Sequence, residues 1–384
     1  MGLFYCNTDF DAGMKMQIPR ALHRTVGALS YLFVPLSVPD DTVLVSASCS
    51  KNYLAYLDNC GIQHGTVLLD DGFRDTGAGK YTVWGWDRRT YERFPHADER
   101  IDPDIVRRVN SREFSLALER TMSKRGPVPV SSVADCLRAS ESTGIPFVVK
   151  PVYGSSGRGF VLVENCEELP KKRALLERTL SCGGGTAERW HRRTGDFSFG
   201  KSVFHTEAKS PSIRRLENSR IGLFSHITVS DSCDVPLPDA VSRRTLADVY
   251  QTAADALHGA GYDGPFGIDG YVYEENGTPK VRYMCEINCR MTMADVAYGF
   301  LARYPAAYAR IISVKSSVFN GKPTYRSCFG DDTFSADTGG AVILTPAFVE
   351  IDGAMHRAGR VFVLICADSI TEIERIQQKY VYAL

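Results

Sequence analysis

The apolar positions of this chain fall in short β-rich runs and in helical stripes rather than in long blocks. Over residues 1–110, TVLVSAS (42–48), GTVLLDD (65–71) and YTVWGW (81–86) predict strands, and a short apolar start ending at Asn7-Thr8-Asp9 predicts another. Strands alternating with helical stretches point to a small α/β layer domain. Residues 111–125 predict a helix: Ser111 can cap it, Phe114, Leu116, Leu118 and Met122 are its apolar positions, and Gly126-Pro127 stops it. IPFVVKP (145–151) and FVLVE (160–164) predict two strands joined by the glycine turn GSSGRG (154–159). A basic helix over about 169–180 follows, then the turn CGGGT (182–186) running into AERWH (187–191).

Residues 239–258 predict a helix with Leu246, Val249, Ala253 and Leu257 on one stripe, ended by Gly259 and Gly261. Residues 264–288 predict a long β-hairpin turning near Asn276-Gly277. The tail predicts strands GAVILTP (340–346) and RVFVLICA (360–367), then a helix opened by a capping box from Ser369 to Glu372.

At 384 residues the chain has material for two or three domains. Lys+Arg and Asp+Glu both number 45, so no global field attracts nucleic acid or an anionic membrane. No apolar run approaches the roughly 20 residues that span a bilayer. The start MGLFYCNTDF lacks a basic segment followed by an apolar core, so a cytoplasmic protein is expected. Met1-Gly2 hints at myristoylation, but Cys6 sits where Ser or Thr is wanted. The 11 cysteines are scattered without C-x-x-C spacing, which favours reduced thiols over zinc or disulfides. Trp84-Gly85-Trp86 reads as core. Two basic groups, Trp190-His191-Arg192-Arg193 and Arg214-Arg215, could bind an acidic substrate but read better as a solvated face.

Two constellations carry chemistry. The first is Lys150-Pro151 followed by Gly154, Ser155, Ser156, Gly157, Arg158 and Gly159. Glycines let backbone amides approach and cradle a polyphosphate, and Lys150 adds a positive charge at the end of the preceding strand. A Walker loop or a dinucleotide fingerprint would run into a helix; here the next segment predicts a strand, so the turn reads as a flap over a nucleotide. The second is Asp269, Glu286 and Asn288 on the predicted hairpin. A type I′ turn at Asn276-Gly277 sets Asp269 diagonal to Glu286, and a type II′ turn at Gly277-Thr278 sets them directly opposite; both put the carboxylates on one face. Adjacent carboxylates repel unless a hard cation such as Mg²⁺ compensates.

Together V-V-K-P-x-x-G-S-S-G-R-G and E-I-N-C-R-M-T (286–292) resemble the ATP-grasp superfamily over roughly residues 112–300. The resemblance implies an ATP-grasp fold, mixed α/β and α+β. A pre-ATP-grasp α/β domain would take residues 1–110, a lid subdomain 111–187, a second subdomain 188–325 and a small C-terminal α+β segment 326–384. It implies ATP and Mg²⁺ as cofactors. Lys150 would contact the α- and β-phosphates, residues 154–159 would cover the phosphates, and Asp269, Glu286 and Asn288 would hold the metal. Arg290 would stabilise the transferred phosphoryl group. Glu188 would accept from the adenine amino group, the Arg189 and Trp190 backbones would meet the ring edge, and Asp196 would lie near the ribose. Two positions depart from the family pattern. Arg112 stands where a second lid lysine is usual, and Cys289 replaces the usual proline, more as packing than as a nucleophile.

The activity this implies is ATP-dependent joining of a carboxylate to an amine through an acyl phosphate, on an amino acid or peptide. The partners would be small molecules, with no nucleic acid and no membrane, and a homodimer is allowed. A phosphotransferase, an inactive nucleotide-binding protein and a Rossmann-type oxidoreductase are the alternatives, the last opposed by the strand after the glycine turn.

Overall fold

The computed structural model describes residues 1–14, 23–77, 79–123, 126–154, 159–204, 210–218, 224–232, 235–319, 325 and 328–382. The glycine turn at Ser155, Ser156, Gly157 and Arg158 lies outside the described residues.

Residues 1–110 build a four-stranded parallel sheet in the order Thr66–Leu69, Thr42–Val45, Gly2–Tyr5, Lys80–Val83. The run predicted over 42–48 is shorter than its apolar pattern suggests. It stops at Val45, where the Ser46 amide leaves the ladder and donates to Ser30 Oγ at 3.2 Å. Ser48–Cys49 then forms a separate short strand against Phe348–Ile351. Trp84 and Trp86 are buried in the main core, as expected of them.

Helix Arg112–Met122 starts as predicted, with Ser111 Oγ accepting from the Phe114 amide. A second, antiparallel sheet follows in the order Val128–Val130, Gly185–Arg189, Phe147–Pro151, Val161–Val163. Its apolar face has its own core, with Phe147, Val149, Val163, Leu176 and Ala187 fully buried. This layer therefore buries its hydrophobic surface without help from the rest of the chain.

The largest element is an eight-stranded antiparallel sheet. Its order is Thr278–Asn288, Gly267–Glu275, Arg193–Gly200, Ser212–Asn218, Phe224–Ser230, Tyr308–Lys315, Arg360–Ala367, Gly340–Ile343. The C-terminal strands thus extend the sheet that begins with the 267–288 hairpin. Helix Arg243–Gly259, capped by Ser242, buries Leu246, Val249, Ala253 and Leu257, the predicted stripe. The last helix, Ile370–Gln377, has the predicted Ser369 cap, but Glu372 turns its carboxylate to Arg375 at 2.7 and 2.9 Å. A full ion pair outcompetes the return bond of a capping box there. Among the described residues no helix is long and apolar enough to cross a membrane.

The hairpin decides the site's geometry. Asn276 (φ 52°) and Gly277 (φ 72°) both take left-handed conformations, so the turn is of the I′ kind and Glu275 pairs with Thr278. That register alone would leave Asp269 diagonal to Glu286. A bulge between Tyr271↔Arg282 and Asp269↔Glu286 slips the register by two residues, keeps the face, and sets the carboxylates directly opposite.

Candidate active site

The site lies where the small antiparallel sheet faces the large one. Alternation along the strands aims Lys150 and Glu188 to the same side, and the register pairs Val148 with Glu188 and Lys150 with Thr186. Lys150 Nζ forms a short ion pair with Glu188 Oε1. The other Glu188 oxygen accepts from Arg282 Nη1 at 2.8 Å, and Arg282 forks onto Glu119 at 2.7 and 2.7 Å. This chain ties the helix at 112–122, both sheets and the hairpin together. Burial alone would raise Glu188, but Arg282 and Lys150 hold it well below the usual carboxylate range. Burial pushes the Lys150 ammonium below its ordinary pKa; Glu188 opposes that, and Arg112 and Arg193 add to it.

Arg112 stands between the two constellations. Its guanidinium lies over Gly154, where an added Cβ would sit 2.8 Å from Nη2, and the same nitrogen reaches Glu286 Oε1 at 3.0 Å. A side chain at Gly154 would thus push Arg112 off Glu286. Gly159 closes the described part of the turn with φ 82°, a conformation that favours glycine.

On the large sheet Asp269 faces Glu286, and Asn288 Nδ2 donates to Asp269 Oδ2 at 3.0 Å. Burial, then the charge of Glu286, pushes the Asp269 carboxyl up to about 6, against hydrogen bonds from Ser198 and Asn288 and the charge of Arg290. No third His, Cys, Asp or Glu joins this pair in a metal-holding group among the described residues. The donors are therefore two carboxylates and one amide oxygen. That all-oxygen set suits Mg²⁺, which completes its shell with water and substrate phosphate, and a cation would relieve the repulsion that lifts Asp269. Arg290 is partly buried and forks onto Asp11 at 2.9 and 3.0 Å, while its Nη2 also donates to Asn288 Oδ1 at 3.2 Å.

Cys289 is buried; its amide donates to Asn110 Oδ1 at 3.0 Å, and burial pushes its thiol up, as a packing residue requires.

The segment 188–196 divides. Glu188 is committed to the ion-pair chain, Arg189 is exposed, and the Trp190 amide donates to Pro146 O at 2.9 Å. Trp190 stacks on Phe160, and Asp196 lines a cleft of about 1180 Å³ with Trp190, Arg193, Glu217 and Pro238. There Asp196 accepts from Arg193 at 3.3 Å and from Asn218 at 2.9 Å.

The basic residues differ from expectation. Arg193 and Arg214 do not form a solvated face: Arg193 lies over the Tyr271 ring at 4.3 Å, and Arg214 is 1% exposed. Neighbouring strand residues point to opposite faces, so Arg214 goes inward while Arg215 pairs with Glu217 at 2.7 Å. Sequence reading also missed Glu119, Asp11 and Arg282. Of these only Arg282 carried a signal, four residues before Glu286 on the same strand face.

The two facing sheets with charged groups between them have the ATP-grasp fold, as the likeness to solved structures shows. No family model matches the sequence, and no curated protein matches it. Solved structures do. The chain superimposes on N5-carboxyaminoimidazole synthetase from Staphylococcus aureus complexed with ADP at TM-score 0.56 and 12% identity, covering 99% of this chain and 96% of that one. Biotin carboxylase from Campylobacter jejuni, in a β,γ-ATP complex, gives 0.57 and 12%, covering 99% and 90%. N5-carboxyaminoimidazole ribonucleotide synthetase from Thermus thermophilus gives 0.53 and 13%, covering 99% and 97%. At such identity the likeness is one of fold.

Proposed function

We propose that this protein is an ATP-dependent carboxylate–amine ligase working through an acyl phosphate. The observation that carries the reading is the placement of Asp269 against Glu286, with Asn288 beside them, on the sheet face that Lys150 and Arg112 overlook. Similar structures, a synthetase, a synthase and a carboxylase, hold ADP or an ATP form.

In this reading Asp269, Glu286 and Asn288 hold Mg²⁺, which when bound neutralises charge on the ATP phosphates. Lys150 and Arg112 bind the phosphates, and Arg290, oriented by Asp11, faces the transferred group. A substrate carboxylate oxygen bonds to the γ-phosphorus as the β,γ-bridging P–O bond breaks and ADP leaves. An amine nitrogen then bonds to the acyl carbon, inorganic phosphate leaves, and the amine gives up a proton. The chain's own contribution is positioning and charge placement. An amino acid or peptide as a substrate, and a cytoplasmic setting, belong to the same proposal.

The test is Mg²⁺-dependent phosphate release from ATP with pools of carboxylates and amines. Release that requires both supports the ligase. ADP formation with a hydroxyl acceptor and no amine requirement would make the protein a phosphotransferase, and no turnover with any pool would favour a nucleotide-binding protein without activity.

A further inference from the structure

Arg214 is among the most deeply buried side chains of the protein, and all three of its guanidinium nitrogens lack a hydrogen-bond partner among the described residues. The Tyr298 ring lies 5.8 Å from the guanidinium carbon and leaves the N–H groups unmatched. An ionised group in that state is strongly unfavourable unless something pairs with it. Such an arrangement persists where a ligand supplies the missing partner.

The register places it. Arg214 pairs with Ser198, Ser198 with Asp269, and Asp269 with Glu286, so all four lie in one row on one face of the sheet. The side chain reaches across to the next row on that face, Ser212, Gly200, Gly267 and Asn288. An added Cβ on Gly200 would sit 3.5 Å from Arg214 Nη1, and one on Gly267 would sit 3.4 Å from it. Gly200 and Gly267 are themselves paired, and Gly267 pairs with Asn288. The guanidinium therefore hangs over a floor of two glycines, one strand from the carboxamide of Asn288. A Cβ on Gly267 would also come within 3.4 Å of Thr292, which closes the hollow. Beyond Arg214 this face continues through Val229 and Ala309, which are paired and fully buried, and the one carboxylate on the helix Met293–Leu301 that carries Tyr298, Asp295, caps that helix at Thr292 and forms no ion pair with Arg214 among the described residues.

We propose that Arg214 anchors the carboxylate of the acceptor substrate in the glycine-floored hollow beside Asn288. The inference rests on the ligase reading and names the part of the site that takes the second substrate. Charge decides between oxyanions. The hollow offers one unmatched positive charge next to two acidic side chains, so a monoanionic planar carboxylate balances it and a dianionic phosphate overfills it. A guanidinium fork also matches the two oxygens of a carboxylate in one plane. The two glycines let the planar group lie flat against the sheet, where any side chain would displace the guanidinium.

The experiment is calorimetric titration of sodium formate into the full-length protein, with and without MgADP, at ionic strength matched with sodium chloride. Native protein, Arg214→Met and Arg214→Lys are compared, and melting temperatures are recorded alongside. The expected result is formate binding to native protein that weakens by about tenfold or more in Arg214→Met. Arg214→Lys, which keeps the charge and loses the fork, should fall between them. Arg214→Met without ligand should melt no lower than native, because an unpaired buried charge has been removed. Equal formate affinity in native protein and either variant, or no formate binding to native protein in either condition, overturns the proposal. Sodium phosphate that binds more tightly than formate in an Arg214-dependent way overturns the carboxylate assignment. If Arg214→Met does not fold, Arg214→Lys alone decides by the same criterion. The MgADP titration stands apart: absence of MgADP binding sinks the ligase reading, whereas MgADP binding with Arg214-independent formate affinity sinks only this inference.

Discussion

In one group between the sheets, Lys150, Glu188, Arg282 and Glu119 form a chain in which each charge meets its opposite. In the other, Asp269 lies against Glu286, and the guanidinium of Arg214 has no hydrogen-bond partner among the described residues. Both groups lie between the same sheets and both are largely withdrawn from water. The difference is completeness. The first group satisfies itself from residues on four elements, three strands and a helix, and so fixes how those elements sit. The second is short of one cation near the acids and one anion near Arg214, and those are the charges that a metal-bound nucleotide and a carboxylate substrate bring.

The largest expected effect comes from breaking the complete group. Glu188→Gln leaves Lys150 and Arg282 without their shared counter-ion, and uncompensated buried charge costs about 3–5 kcal/mol of folding stability. Denaturant unfolding measures it; a change within about 0.5 kcal/mol would mean that the chain is not what holds the two sheets in place.

Next is Glu286→Gln. Mg²⁺-dependent ATP turnover should fall by about 10²–10³-fold, the scale of losing one electrostatic contact made at the transition state. The fold should survive, because Arg112–Glu286 is the ion pair lost and Glu286 is about one-third exposed on its side chain. Native-like activity would remove Glu286 from the site, and an inactive, unfolded variant would make it structural.

A pH effect follows from Asp269. Its carboxyl rises from 3.8 to about 6 in the folded protein, so the native state holds that proton where the unfolded chain has released it. The contribution is fully present below pH 4 and is lost as pH climbs past 6. Two units at about 1.36 kcal/mol each give up to about 3 kcal/mol. Denaturant midpoints of the metal-free protein between pH 4 and 7 should therefore fall relative to those of Asp269→Asn. Parallel profiles would count against the crowded carboxylate pair.

The smallest effect expected is on nucleotide affinity. Lys150→Ala should cost MgADP binding about 1.5–3 kcal/mol, the loss of one charge-assisted contact, while Arg282 still holds Glu188. Calorimetry reads it directly, and unchanged affinity would leave Lys150 as a member of the ion-pair chain alone.

Reading the sequence located what is local. The hairpin turns at Asn276-Gly277, one of the two turns the sequence allowed, and both residues take left-handed backbone. Ser111 and Ser369 cap the helices that follow them. The stripe from Leu246 to Leu257 is buried because helical periodicity is a property of the segment itself. Glu286 and Asn288 share a face for the same kind of reason, being two residues apart on one strand.

What the chain alone left undecided depends on partners far away in sequence. The bulge that brings Asp269 opposite Glu286 is an interruption in pairing, and turn chemistry cannot specify it. Glu119 and Arg282 are 163 residues apart, and no periodicity joins them. Arg214 and Arg215 look alike in sequence, and only the sheet sends one inward and the other to Glu217. Local hydrogen bonding and side-chain alternation are settled within a few residues of chain, so the sequence determined the elements and the faces of their polar groups. Whether a charge on such a face is paired or left open is settled by desolvation and by what packs across from it, and that the tertiary structure alone decided.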